Sequence, residues 1–394
     1  MDTTVAPFDP IAAIRPGVAA LPESGIVEVV NYGREKEGLI PLWVGEGDLP
    51  TPDYISAAAV EALHAGQTRY TYQKGVPPLR RAIADYLNRT YATDIPVDNV
   101  VVTVGGMQAI ALTMQMLIDP GDEVVAVSPV WPNIFSAVRI CGGRDVQVPL
   151  ALDETRGWQC DLDRLFDACG PKTKALFVNS PGNPTGWTLT REEMVAIRDF
   201  ARERGIWILA DEVYNRVTFE MDRAPSFLEI MSPEERLIAV NTFSKNWAMT
   251  GWRIGWVVAP RALAPVFENL IQFNTSGVPT FLQYGAVAAL EHGDDFIQRM
   301  RRLCHEGRDV VCDGLGPLPR VHFARPDGGF YLFFRVDGEP DARDLALRLV
   351  DDANVGLAPG TAFGTGGQGF LRLCFASSAD LLREAVDRLV PALK

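Results

Sequence analysis

The sequence predicts an α/β protein with a large domain, built on a mostly parallel sheet covered by helices, and a smaller α+β domain. Several short apolar runs lack polar alternation, which is typical of strands that are buried on both faces. Amphipathic stretches of helical period separate these runs, and strands that alternate with helices indicate β–α–β units. After about residue 290, long helices surround a few strands, which is typical of an α+β domain.

The large domain is predicted from an alternation that begins near residue 53. Its predicted strands are 100–104, 123–127, 175–178, 207–210, 237–240 and 253–258. Its predicted helices are 54–64, 78–89, 107–117, 132–141 and 191–204. The stretch 100–118 is uncharged and long enough to span a bilayer, but it contains two adjacent glycines and changes midway from β-branched to helix-forming residues. A buried strand, a tight turn and a buried helix explain it better.

The predicted domain boundaries follow the change of pattern along the chain. Residues 1–45 form an irregular N-terminal segment, with a helix-like piece near 11–20, that we expect to pack with the small domain. Residues 46–285 form the large domain and residues 286–394 the small one. The predicted elements of the small domain are helices 293–312, 341–351 and 379–393 and strands 320–323, 330–336 and 370–375.

Composition excludes several classes of function. The 394 residues contain 37 Lys and Arg against 50 Asp and Glu, so the net charge is −13. Nucleic acid and anionic membranes attract basic surfaces, so neither is an expected partner. The six cysteines form no C-x-x-C pair and the four histidines are scattered, so we expect no metal site, and reduced thiols in a cytoplasmic protein. Asp2 and Asp9, without a basic region, argue against a signal peptide.

The strongest candidate for chemistry is Lys245, which follows the apolar strand 237–240. Desolvation at the end of a buried strand disfavours a charged amine, and a neutral amine is a nucleophile that can form a Schiff base. An isolated T-x-S-K segment would more often be a solvated loop. Here Arg253 follows, and Thr242, Ser244 and Arg253 are suited to hold a phosphate through two hydroxyls and a guanidinium group.

Other strand ends carry further candidates. Gly105 and Gly106 join a predicted strand to a helix N-terminus, which favours an anion site but also fits a plain tight turn. Asp211 ends an apolar strand, where a parallel sheet has its ligand crevice, although a capping role is equally compatible. The proline- and glycine-rich loop 179–186, which contains Asn183, follows another buried strand.

Taken in order, the segment 183–186, the pair Asp211 and Tyr214, Lys245 and Arg253 resemble the class I/II aminotransferases. These are the pyridoxal-phosphate enzymes of fold type I, to which aspartate aminotransferase belongs. The resemblance extends from about residue 41 to residue 393. It implies the fold type I architecture, pyridoxal 5′-phosphate as cofactor, and ping-pong transfer of an amino group between an L-amino acid and a 2-oxo acid.

The resemblance also implies a role for each matching residue. Lys245 would carry the cofactor as an internal aldimine and then move a proton. Asp211 would pair with the pyridinium nitrogen. Asn183 and Tyr214 would hydrogen-bond the phenolic oxygen, and Trp131 would stack on the ring unless it is an ordinary core tryptophan. The residues expected at the phosphate are Gly106, Met107, Thr242, Ser244 and Arg253.

Substrate and subunit contacts are implied in the same way. Arg372 would bind the substrate α-carboxylate through its planar guanidinium group, together with Asn183 and the backbone of Gly45. Gly47 stands where many members have proline. Tyr70 would reach the phosphate of the other subunit, with Tyr72 as a nearby competitor, which implies a homodimer with shared active sites.

The substrate and some alternatives stay open at this point. Some members that take acidic substrates have a basic residue at the position of Met107, so neutral or apolar side chains are favoured, although an arginine such as Arg34 could still bind a distal carboxylate. A carbon–sulfur β-lyase on the same scaffold is the nearest alternative. A regulator would need an added DNA-binding domain, and only about 45 residues precede the core. A silent scaffold is disfavoured by Lys245, Asp211 and Arg372.

Overall fold

The computed structural model describes residues 8–394. Residues 1–7, which belong to the predicted N-terminal segment and include part of the region considered for a signal peptide, lie outside the described residues. Among the described helices, none combines the length and the apolar character that crossing a membrane requires.

The strands and helices confirm the predicted alternation. The strands are Ile40–Pro41 (β1), Val100–Thr103 (β2), Glu123–Ser128 (β3), Arg144–Pro149 (β4), Ala151–Asp153 (β5), Gly157–Gln159 (β6), Thr173–Asn179 (β7), Trp207–Asp211 (β8), Leu237–Thr242 (β9), Gly255–Val258 (β10), Val321–Phe323 (β11), Tyr331–Val336 (β12), Val355–Gly356 (β13), Ala358–Pro359 (β14) and Phe370–Cys374 (β15). The helices are Pro16–Ala19 (α1), Gly25–Gly33 (α2), Asp53–His64 (α3), Pro77–Tyr91 (α4), Gly105–Leu117 (α5), Asn133–Ile140 (α6), Leu162–Asp167 (α7), Arg191–Arg204 (α8), Phe243–Asn246 (α9), Ala264–Gln272 (α10), Thr280–His292 (α11), Asp294–Leu315 (α12), Ala342–Asp352 (α13) and Ala379–Leu393 (α14).

A seven-stranded sheet forms the centre of the molecule, in the order β2-β10-β9-β8-β7-β3-β4. Its neighbours are parallel except β10, which runs antiparallel to both β2 and β9. Every residue of β2, β3, β9 and β10 is buried, because helices cover both faces of the sheet. This arrangement confirms the predicted fold class. It also places the last residues of β7, β8 and β9 at one common edge.

A second sheet, with the order β11-β12-β15-β14, is antiparallel. The N-terminal part of the chain contacts the same region, because β1 pairs in parallel with β13 and α2 packs against α13 and β14. The domain boundaries at residues 46 and 286 stay a prediction.

Local signals explain why some element bounds agree with the sequence and others differ. Helix α8 begins and ends as predicted, because Thr190 and Glu193 form a capping box and Gly205 ends it in the left-handed conformation. The predicted helix near 11–20 is wrong except for α1, because the Asp9 carboxylate accepts hydrogen bonds from the backbone of residues 11 and 12 and holds a turn there.

Other elements have no counterpart in the sequence prediction. Helix α2 lies inside the segment that we predicted as irregular. Strand β4 is an edge strand that carries Arg144, Asp145 and Gln147, so it lacks the continuous apolar run of its neighbours. The predicted strand 253–258 starts only at Gly255, because Arg253 has a left-handed backbone with φ of 55°.

Candidate active site

A cavity of about 340 Å³ opens at the carboxyl edge of the central sheet. Of the site residues predicted from the sequence, those that line it are Gly45, Gly106, Met107, Trp131, Asn183, Asp211, Tyr214, Thr242, Ser244, Lys245, Arg253 and Arg372. Tyr70 is outside this group, because its side chain is 95% exposed on the surface of the protomer. Arg34 is also outside; it lies at the end of α2.

The amine of Lys245 lies inside the cavity. Thr242 caps the short helix α9 directly after β9, and this turn carries Lys245. Its Nζ donates a hydrogen bond to the carbonyl oxygen of Gly45 at 2.7 Å. Burial lowers the pKa of Lys245 to about 8, and the cations of Arg372 and Arg253 act in the same direction. The side chain is only half-buried because the amine borders the cavity, but a substantial neutral fraction is expected near pH 8.

Asp211 ends β8 and presents a buried carboxylate to the same cavity. It accepts a long hydrogen bond of 3.4 Å from the backbone N–H of Val213. Burial raises the pKa of Asp211 to about 7, although this bond and the Lys245 cation oppose the rise. A buried carboxylate with so little compensation is suited to a cationic N–H donor of a ligand.

The loop after β7 is tied to the end of β8. Asn179 donates its side-chain N–H to the carbonyl oxygen of Asp211 at 3.1 Å. The side-chain oxygen of Asn179 in turn accepts the backbone N–H of Asn183 at 2.8 Å. Asn179 therefore holds Asn183 beside Asp211. Asn179 was not predicted as a site residue, although its place at a strand end, like that of Asp211, was a usable signal.

One end of the cavity is suited to an anion. Gly105 begins α5, so free backbone N–H groups and the helix dipole favour negative charge there. A Cβ atom on Gly105 would lie 2.5 Å from Nη2 of Arg253, and its φ is +69°, so a residue without a side chain lets the guanidinium approach the backbone. The Thr242 hydroxyl donates to the carbonyl oxygen of Ile254 at 2.9 Å, and it also lies 3.0 Å from the Ser244 hydroxyl. Because the Thr242 proton goes to Ile254, Ser244 donates the bond between the two hydroxyls, and Thr242 therefore holds the Ser244 side chain in place beside the cavity.

Arg372, on β15, is a buried cation in the wall of the cavity. It is 3% exposed, and its guanidinium group lies 4.5 Å from the ring centre of Tyr331 and 4.8 Å from that of Phe363. Nη1 donates to the side-chain oxygen of Asn183 at 3.0 Å and Nη2 donates to the carbonyl oxygen of Trp43, while buried Nε has no partner. In residues 8–394 no carboxylate forms an ion pair with Arg372, so its charge favours a carboxylate ligand.

Tyr331 is a cavity residue that the sequence analysis missed. Its hydroxyl lies 2.8 Å from that of Tyr214, and the two share a hydrogen bond. Burial raises the pKa of both phenols, so both hydroxyls stay protonated. Tyr331 looked like an ordinary member of the apolar strand 330–336. Only the pairing of β12 with β15, which sets Phe333 beside Arg372, brings this face to the cavity.

The chain is similar to proteins of known family over almost its whole length. The profile of the family "Aminotransferase class I and II" matches residues 38–389. A relative named "Probable aspartate/prephenate aminotransferase", from Aquifex aeolicus, is 36% identical over 93% of this chain and 92% of its own. "Aromatic-amino-acid aminotransferase 2" from Thermococcus litoralis is 35% identical over 94% and 96%.

A solved structure gives the same result for the fold. The crystal structure of aspartate aminotransferase from Thermotoga maritima is 34% identical, and the match covers 96% of this chain and all of the other, with a TM-score of 0.89. These relatives share the whole architecture, whereas their names give different substrates. The chain belongs to the class I and II aminotransferase family and is an enzyme that transfers amino groups.

Proposed function

We propose that the enzyme uses pyridoxal 5′-phosphate, held in this cavity, to move an amino group between an L-amino acid and a 2-oxo acid by a ping-pong mechanism. One observation carries the proposal: the amine of Lys245, with its pKa lowered to about 8, shares a single cavity with Asp211, Arg253 and Arg372. The amine is suited to the aldehyde of the cofactor, and the buried carboxylate is suited to the nitrogen of its ring. One of the two cations is suited to the cofactor phosphate and the other to the carboxylate of the substrate.

The residues present fit this cofactor. Asp211 would hold the protonated ring nitrogen, and Asn183 with Tyr214 would donate to the phenolic oxygen. Arg253, Ser244 and the N-terminal backbone of α5 at Gly106 and Met107 would hold the phosphate, with Thr242 orienting Ser244. Trp131 is half-buried and borders the cavity, so one ring face is available for stacking. When bound, the cofactor supplies an electron sink that makes the substrate Cα proton acidic.

The chain's own groups then bind the substrate and move the proton. Arg372 would bind the α-carboxylate, and the carbonyl oxygen of Gly45, which accepts from Nζ of Lys245, would hold the amine near this position. As a neutral amine, Lys245 would accept the proton from the substrate Cα. It would then deliver this proton to the imine carbon of the cofactor. A pKa of about 8 suits this exchange near neutral pH, since about one amine in ten is already neutral at pH 7 and the protonated amine is still a usable acid.

The covalent attachment can be tested directly. The purified enzyme is incubated with pyridoxal phosphate, reduced with borohydride, digested and examined by mass spectrometry. We expect the added mass on Lys245 alone, retained in Lys172→Ala, a control at an exposed lysine, and absent in Lys245→Ala. An adduct on another lysine, or none, would refute the proposal.

A second experiment distinguishes transamination from the lyase alternative. The cofactor-loaded enzyme is mixed with amino acids in single turnovers, and pyridoxamine phosphate with a 2-oxo acid as products would support transamination. Ammonia and pyruvate from a cysteine conjugate would instead indicate a lyase.

We also propose a homodimer in which Tyr70 completes the site of the partner subunit. Tyr70, Tyr72 and Phe273 are 95%, 65% and 83% exposed, and a hydrogen bond of 2.6 Å from Gln73 to Gln272 joins their two segments. Three exposed aromatic side chains on adjacent segments are typical of an interface. A phosphate contact from this surface requires a second copy, because Tyr70 does not line the cavity of its own protomer.

Mixed dimers test the shared site. Tyr70→Ala and Lys245→Ala subunits are each expected to be inactive or strongly impaired alone. Mixing them with exchange of subunits restores one complete site per mixed dimer, since Lys245 of one subunit meets Tyr70 of the other. No recovery in dimers shown to be mixed would refute the contribution of Tyr70.

A cytoplasmic location is a further proposal, supported by six free thiols, four of them buried.

A further inference from the structure

The cations of the cavity are all engaged in the proposed function. Lys245 holds the cofactor, Arg253 its phosphate and Arg372 the substrate α-carboxylate. Within residues 8–394 no other Lys, Arg or His side chain lines the cavity. Its remaining charged groups are the carboxylates of Asp211 and Glu46. A second carboxylate on a substrate therefore meets no free cation of this chain and meets one additional anion, Glu46.

The wall that remains for the substrate side chain is apolar. Ile26 and Val44 come from the N-terminal part of the chain, and Met107 and Ile110 come from adjacent turns of α5. Ser24, Asn133 and Thr250 are neutral polar residues of the same cavity, and none of them carries a charge that could compensate a carboxylate. Asn133 directs its side-chain amide toward the Met107 sulfur at 3.6 Å, and the Thr250 hydroxyl donates to Glu46.

We propose that this aminotransferase prefers amino acids with neutral, apolar side chains, such as leucine or methionine, over aspartate and glutamate. The inference rests on the proposed function and deepens it. An apolar side chain gains by leaving water for Ile26, Val44 and Met107. A distal carboxylate loses its hydration in the same place, and no further cation of the same protomer compensates it, which is unfavourable.

Half-reactions measure the preference without the choice of an amino acceptor. The cofactor-loaded enzyme is mixed with leucine, methionine, phenylalanine, aspartate or glutamate in separate single-turnover experiments. The conversion of the cofactor is followed by absorbance. We expect the second-order rate constant for leucine or methionine to exceed that for aspartate by at least about 10-fold, the lower end of discrimination by pocket contacts.

Variants that add a cation test the physical cause. Met107→Lys places an amine on the cavity wall, and Val44→Lys does so at a position that is 44% exposed and tolerant of a long side chain. Gln115→Lys is the matched control, because it adds the same charge on an exposed part of α5 outside the cavity. The ratio of leucine to aspartate rate constants is expected to fall at least about 10-fold in one of the first two variants and to stay unchanged in the control.

Binding provides a readout that does not depend on turnover. Titration calorimetry with 4-methylpentanoate and with maleate compares a monocarboxylate and a dicarboxylate that cannot react. The wild-type enzyme is expected to bind the former more tightly, and the lysine variants to shift toward maleate. Faster reaction with aspartate than with leucine, or tighter binding of maleate, would overturn this inference alone. Absence of reaction with every amino acid would overturn the proposed function, and the inference with it.

Discussion

The lowered pKa of Lys245 leads to a measurable reactivity. With a pKa of about 8 in place of 10.5, about one amine in ten is neutral at pH 7, whereas an ordinary lysine would be neutral in about one in three thousand. At equal intrinsic nucleophilicity, Lys245 is therefore about 300-fold more reactive at pH 7 than an ordinary lysine. The main cause is burial, because the charged amine loses hydration that its hydrogen bond to Gly45 only partly replaces.

Competitive acylation measures this titration residue by residue. Cofactor-free enzyme is pulsed with a small acylating reagent at a series of pH values, and the modification of each lysine is quantified by peptide mass spectrometry. Exposed Lys172 serves as an internal reference in the same digests. Labelling of Lys245 is expected to rise about tenfold per pH unit up to about pH 8 and then to level off.

The pH dependence of Lys245 labelling can contradict the role of burial and the proximity of Arg372. If the labelling of Lys245 keeps rising up to pH 10, the amine is not desolvated and the argument from burial is refuted. Replacement of Arg372 by methionine removes a cation that disfavours the charged amine. The midpoint of Lys245 is therefore expected to move to higher pH in that variant. A shift to lower pH would contradict the proximity of the two charges.

Three further changes have defined outcomes. Lys245→Met should increase the free energy of unfolding of the cofactor-free enzyme at pH 7 by about 1–3 kcal/mol, because the folded state no longer buries a charged amine. Denaturant titrations should show this gain disappearing between pH 8 and 10.5, where the wild-type lysine becomes neutral first in the folded and then in the unfolded state. Tyr331→Phe removes a 2.8 Å hydroxyl bond to its neighbouring tyrosine; steady-state kinetics should show turnover reduced up to about 10-fold, with circular dichroism unchanged. Gly105→Ala places a methyl group 2.5 Å from Arg253 at a φ of +69°. Equilibrium dialysis should show weaker cofactor binding, and denaturant titrations should show a free energy of unfolding that is lower by about 1–2 kcal/mol. Gly170→Ala, whose methyl group would lie in open space, should show neither effect.

The sequence was informative where local physics decides the structure. Strands buried on both faces must be apolar throughout, so β2, β3, β7, β8 and β9 could be identified from short apolar runs. The sequence was less informative for elements whose formation depends on tertiary contacts. The edge strand β4 carries polar residues, and helix α2 is short and packs on α13 and β14.

The same division applies to the site. Asp211 and Lys245 could be predicted to share a cavity because each stands at the end of a buried strand, and parallel strands direct their carboxyl ends to one edge. Tyr331 was missed because nothing in its own segment distinguishes it from a core residue. Its hydroxyl pairs with that of Tyr214, which is 117 positions away in the chain.

Residue types and strand ends are local properties, so the fold class and most of the charged groups of the site could be predicted from the amino-acid sequence. The behaviour of those groups depends on which of them the folded chain brings together. Arg372 and Asn183, 189 positions apart, meet through a 3.0 Å hydrogen bond. Burial moves the pKa values of Lys245 and Asp211 toward each other, to about 8 and about 7. Desolvation and the distances between charges depend on long-range packing, which no local pattern records.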